Sequence, residues 1–214
     1  MKKLILLFSL IIASSFSYSQ TQTTEIEAKG IFSEIAVEKQ NLAVERILGK
    51  DKKEKKAIIE TVKENPNDFN PPVLYALSHE LFEQGNNDEA CYWFYLAQLR
   101  ARYDANLCMD NSAKQAVSVL NNNFGPKINK YAFQDIEKLE KTVTNVVNFV
   151  REHEENYDHR WINLHGMWAM QAGLSDKEET RELSKPKDEW KAIKKKTIDD
   201  YYNGFIEYVK SQKK

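Results

Sequence analysis

The sequence predicts an all-α fold, a single domain built as a bundle of helical hairpins. Three observations predict it. Only 7 Gly and 5 Pro punctuate 214 residues. No run of Val, Ile or Thr alternates with polar residues, as a half-buried strand requires. Apolar residues instead recur at three- and four-residue steps along most of the chain, the spacing that lines one face of a helix.

The first segment has a different logic. Lys2 and Lys3 precede an apolar run from Leu4 to Ala13 broken only by Ser9, and small residues follow at Ser17 and Ser19. A charged start, an apolar centre and small residues at the cut are the layout of a secretory signal, here residues 1–19, with Gln20 left as the new first residue. The apolar run is shorter than the roughly 20 residues a spanning helix needs. No cysteine stands at the cut to carry a lipid. The expectation is an exported chain, periplasmic or secreted, whose residues 20–214 form one all-helical domain and do not insert in a membrane after cleavage. Its formal charge would be −3, since two lysines leave with the signal. That balance disfavours nucleic acid, which calls for a basic face.

The helices follow in order. Residues 25–48 carry Ile31, Ile35, Ala36, Leu42, Val44 and Ile47 at helical spacing, interrupted by Gly30. The charged run KDKKEKK at 50–56 mixes acids with bases and reads as a solvated helix start. Ile58, Ile59 and Val62 give that helix its apolar side, and it ends near Asn65-Pro66. Asn70-Pro71-Pro72 starts another: Asn caps free amides, and Pro is tolerated in a first turn. Val73, Leu74, Leu77, Leu81 and Phe82 form its face, and Gly85 stops it. The helix over 89–103 is apolar on two stripes, one through Ala90, Trp93, Phe94, Ala97 and Ala101, the other through Tyr92, Leu96, Leu99 and Tyr103. Such a helix is expected between neighbours.

The run from Phe82 to Ala97 resembles the turn and second helix of a tetratricopeptide or Sel1-type repeat. Gly85 stands at the turn, Ala90 early in the second helix, Trp93-Phe94 as the aromatic pair and Ala97 at the close contact. The match covers about one repeat, where a solenoid needs at least three. The resemblance implies a helical hairpin of that style and a protein-binding surface.

Further on, Asp110, Asn111 and Ser112 offer a cap for a helix carrying Ala113, Ala116, Val117 and Leu120, and NNNFGP at 121–126 reads as a turn. Residues 135–153 have the cleanest amphipathic pattern, with Ile136, Leu139, Val143, Val146, Val147 and Val150 on one face. Trp161, Leu164, His165 and Trp168 predict one helix ending at Gly173, and Pro186 opens a long last helix through Trp190, Ile193, Thr197, Tyr201, Phe205 and Tyr208.

Chemistry-bearing patterns are sparse. His79-Glu80-Leu81-Phe82-Glu83 begins like a zinc-protease helix but ends in Glu83 where the second His would stand. His153, His159 and His165 step by six residues and share no helical face. No metal or other cofactor is expected. Cys91 and Cys108 lack zinc-site spacing; in an oxidising compartment they are expected to pair across a short loop, with two buried thiols as the other reading. Tyr157, Asp158, His159 and Arg160 form the densest polar and aromatic cluster, read either as a helix cap with an ion pair or as a binding patch. Arg100, Arg102 and Tyr103 are a second candidate, because Arg and Tyr dominate protein interfaces. The functional expectation is a non-catalytic module for a protein partner, with an inhibitor or immunity-type protein as its concrete version. A metal-dependent hydrolase using His79, Glu83 and the Asp158-His159 region is one alternative. A small-molecule binder lined by Trp93, Tyr95 and Trp161 is the other.

Overall fold

The computed structural model describes residues 26–175 and 180–212, and the expected signal at 1–19 lies outside them. Its helices are α1 (Glu38–Leu48), α2 (Lys52–Glu64), α3 (Pro71–Glu83), α4 (Asn87–Leu107), α5 (Gln115–Ala132), α6 (Ile136–Glu152), α7 (Met167–Leu174) and α8 (Trp190–Gln212), with short 3-10 turns between several of them. No strand occurs among the described residues; a lone bridge joins Cys108 to Ser184. The all-α expectation holds.

Local chemistry sets the ends. The Asp51 carboxylate accepts from the backbone N–H groups of Lys53 and Glu54 and starts α2, while Asp135 accepts from Lys138 N and starts α6. Asn70 accepts from Val73 N, and Pro71 sits where α3 needs no amide donor. Gly85 takes φ +83°, the left-handed conformation that ends a helix, and joins α3 to α4 as an antiparallel hairpin.

Packing follows from α4. Its two apolar stripes place Phe94, Leu96, Ala97 and Leu99 out of contact with solvent, and α3, α5, α6 and α8 all pack on it. On the other side of this centre α1 and α5 both lie against α3, and α2 pairs with α1. The result is a helical-hairpin architecture in which α1, α3 and α5 share a layer. A smaller cluster closes one end: Phe32 and Ile35 from the N-terminal strap pack with Leu164, Ala169, Ala172 and Leu183.

Four expectations are corrected. The helix expected over 25–48 begins only at Glu38, after a 3-10 turn (Gly30–Glu34) and an extended Ile35. The stretch 121–126 is no turn, since α5 runs straight through it with Pro126 inside. Its tertiary contacts outweigh its composition: Asn121 accepts from Tyr75 Oη and Gln98 Nε2, Phe124 stacks on Tyr75, and Gly125 lies so close to Phe94 that a Cβ there would sit 2.9 Å from the ring. The helix expected through Trp161 and Trp168 is broken at Gly166 into a 3-10 turn (His159–His165) and α7. A Cβ at Gly166 would stand 2.1 Å from Asp110 Oδ2, which accepts from Trp168 N. Cys91 and Cys108 are free, buried thiols. The segment between them is no loop but α4, and 17 residues of helix hold them about 25 Å apart, far beyond disulfide reach.

Candidate functional site

An apolar groove of about 410 Å³ lies between α1 and α5. Val37, Val44 and Leu48 line it from the α1 side, and Ala116, Val119, Leu120 and Phe124 from the α5 side. Pro72 of α3 and Trp161, Leu164 and His165 of the 3-10 turn complete the lining. The α5 wall is regular because residues four apart stack along one side of a helix: Ala116, Leu120 and Phe124 form one row, Gln115, Val119 and Asn123 the next. Leu48 is 43% exposed and Val119 38% exposed, so both walls present apolar surface to solvent.

Polar groups in the groove are few and mostly uncharged. Asn41, Gln115 and Asn123 place carboxamides on its walls. Gln40 and Asn70 are spent inside the protein: Gln40 Oε1 accepts from Asn70 N, and Gln40 Nε2 donates to the Asp68 carbonyl. Glu45 is the only carboxylate among the lining residues and has no ion pair among the described residues. The His165 imidazole is open to the groove and edge-on to Trp161, and the protein packed around it lowers its pKa. The groove is therefore an apolar surface with hydrogen-bonding amides and one negative charge.

The seven residues singled out from sequence fall into three places. Arg100 has no exposed surface; its guanidinium donates to the Pro66 carbonyl at 2.7 Å and to Asn67 Oδ1, with Glu155 3.7 Å from its Nε. Tyr103 and Tyr157 are also buried, and Tyr157 Oη donates to Asp104 Oδ2 at 3.0 Å, beside the Trp161 indole N–H at 2.7 Å. Burial holds the Asp104 carboxyl well above the usual carboxylate range despite those two donors. Lys194, over the ring of Tyr103, donates to Glu155 and to the His153 carbonyl. This network ties α4, α6, α8 and the 153–161 segment together and offers no surface to a partner.

The second place is the start of the 3-10 turn. Asp158 accepts from Arg160 N at 3.0 Å, from its guanidinium through Nε and Nη2, and from Ala36 N at 3.1 Å. Burial pulls this carboxyl upward, and the four donors overcome it and hold it below its ordinary value. Asp158 is thus a cap that also pins the N-terminal strap. His159 Nε2 lies 2.8 Å from Ser184 Oγ with its ring edge-on to Trp190, and burial lowers its pKa to about 4. The third place belongs to Arg102 alone, exposed on α4 with its guanidinium over the ring of Tyr201.

The metal-like pattern on α3 is dispersed. His79 packs edge-on to Phe124, Glu80 pairs with Lys55 at 2.7 Å, and Glu83 pairs with Lys127 at 2.8 Å. No group of three or more His, Cys, Asp or Glu that could hold a metal occurs among the described residues. Of the aromatics considered for a small-molecule site, Trp161 lines the groove, whereas Trp93 and Tyr95 are buried in the main core.

Compared with family models, with curated proteins and with solved structures, the chain matches none. No described helix is long and apolar enough to cross a membrane.

Proposed function

We propose that this protein is an exported, non-catalytic binding module whose groove between α1 and α5 takes an apolar segment of a partner protein. One observation carries the reading: two helices that flank α3 expose Leu48 and Val119 on facing walls of a groove with a packed, preformed floor. A concave, mostly apolar lining with a few convergent polar groups is the usual form of a binding site. The amides of Asn41, Gln115 and Asn123 each carry donors and an acceptor, which suits the backbone N–H and C=O groups of a peptide. Glu45 adds charge complementarity to a Lys or Arg on that segment, since the lining holds no competing cation. The helical-hairpin packing supports a tetratricopeptide-style surface, and an inhibitor or immunity-type role fits an exported protein of this size. Export rests on residues 1–19.

The test is capture from native extract with the protein starting at Gln20, compared with Val119→Asp and Glu45→Lys baits. Both positions are exposed, so far-UV circular dichroism and Tm should stay those of the wild type. A stoichiometric partner protein that is lost on V119D and weakened about tenfold on E45K supports the reading. A partner held equally by all three moves the site away from the groove. Absence of a partner with a folded bait discards the module.

A further inference from the structure

We propose a second, polar binding site, for a small phosphate monoester carrying hydroxyl groups, in the cleft where α4, α5 and α8 meet. This cleft of about 380 Å³ falls in the size range of small-molecule sites. It is separate from the apolar groove and shares no lining residue with it.

Several polar groups in the cleft are already spent within the protein. Tyr201 Oη is spent on Gln98 Oε1 at 2.8 Å, and Asp200 pairs through Oδ2 with Lys196 at 2.6 Å on the exposed rim, which leaves its Oδ1. The Asn121 carbonyl oxygen accepts twice, from Tyr75 Oη at 2.7 Å and Gln98 Nε2 at 3.0 Å, which fixes the amide and leaves its NH₂ unspent. Thr197 Oγ accepts from Asn106 Nδ2 at 2.8 Å, so its own proton remains to donate. Thr197 is itself 4% exposed and held by this bond. Two cations face the same space. Arg102 lies over the Tyr201 ring, 5.6 Å from its centroid, and neither it nor Lys114 has a carboxylate partner among the described residues.

What is left over is a set of donors with two positive charges: the Arg102 fork, the Lys114 ammonium, the Asn121 amide, and the Thr197 and Ser118 hydroxyls. A planar Arg fork recognises an oxyanion through two parallel bonds, and Lys supplies a point charge beside it. A doubly charged phosphate monoester has enough acceptor oxygens for all of them, more than a single carboxylate has. Two acceptors complete the cleft, the Asn106 carbonyl oxygen and the rim carboxylate of Asp200, and these suit hydroxyl groups on the body of the ligand. The ring of Tyr201 holds the guanidinium in place by a cation–π contact. Burial of the phenol beneath it keeps Tyr201 a neutral platform.

Titration calorimetry of the purified protein tests this with glucose 6-phosphate as probe, and with inorganic phosphate, glucose and succinate as comparisons. The expected result is one site for glucose 6-phosphate, weaker binding of inorganic phosphate, none of glucose, and affinity that falls as salt rises. Arg102→Ala and Lys114→Ala should each weaken it about tenfold or more, and Arg102→Lys should restore only part, because an ammonium lacks the fork. Val119→Asp, in the groove, should bind the probe as the wild type does. Succinate bound as tightly as glucose 6-phosphate would overturn the phosphate class. Binding unchanged in both cation variants, or no heat at about millimolar probe, would overturn the site.

Discussion

His159 shows how a residue that reads as acid–base chemistry becomes a structural one. Its imidazole sits between Ser184 and Trp190, with Asp158, Arg160 and Lys187 as the charges around it. Burial favours the neutral ring, and a pKa near 4 in the folded protein stands below the ordinary value of about 6.5 that the unfolded chain regains. Between those two values the unfolded chain binds the extra proton. Stability contributed here is therefore fully present above pH 6.5 and is lost as pH falls toward 4, by up to about 3 kcal/mol. A His159→Gln variant cannot take up that proton. Its Tm should lie somewhat below the wild type at pH 7.5 and should fall less steeply between pH 6.5 and 4.5. Parallel melting curves for the two proteins across that window would show that His159 is not the buried neutral group described. The same lesson holds for Arg100, whose residue type suggests an interface anchor and whose place beneath Pro66 and Asn67 makes it a buried strut.

At the scale of elements, Pro126 tests which force shapes α5. Its ring removes one amide donor in mid-helix, and the carbonyl of Asn122 goes without its intrahelical bond. Both residues are exposed, so that carbonyl stands on the solvent side, and the contacts of Asn121, Phe124 and Gly125 keep the helix whole. Pro126→Ala restores the amide without touching the core. It should raise the urea midpoint by an amount equivalent to about 1–3 kcal/mol. A destabilised variant would mean that Pro126 stiffens α5 in a way its neighbours depend on. Helix existence and most ends were legible in sequence because caps and apolar periodicity are local: Asn70, Gly85 and Asp135 act where they stand. The fate of 121–126 was not, because Tyr75, Phe94 and Gln98 decide it from α3 and α4. The groove escaped for the same reason. Its lining comes from four segments distant in sequence, near 37–48, 70–72, 115–124 and 161–165. Each reads alone as an ordinary core stripe, and Val119 falls between the positions that mark one. Among the groove residues, Trp161 alone is marked by the sequence as a ligand contact.

Across the whole molecule, two packed regions of unequal size meet at the groove floor. The main core is centred on α4 and reaches α1 to α6 and α8. The smaller cluster joins the N-terminal strap to Leu164, α7 and Leu183, and its ties to the rest include Ala36 N on Asp158, Met167 N on Ser112, Trp168 N on Asp110 and the bridge of 107–109 with 183–185. Local openings follow the number of buried contacts that must break, so this end should open before the α3–α4 hairpin. Phe32 is 1% exposed and is the largest side chain fully buried in the smaller cluster. Phe32→Ala should cost about 3–5 kcal/mol of local stability there. Hydrogen exchange would then speed up over 28–36 and 159–175 while amides of α3 and α4 keep their wild-type protection. Because Leu164 and Val37 belong to both the small cluster and the groove, the same substitution should weaken a groove partner without changing any groove side chain. Uniform acceleration across α3, α4 and the strap would instead show one cooperative unit, with the groove floor as stable as the core behind it.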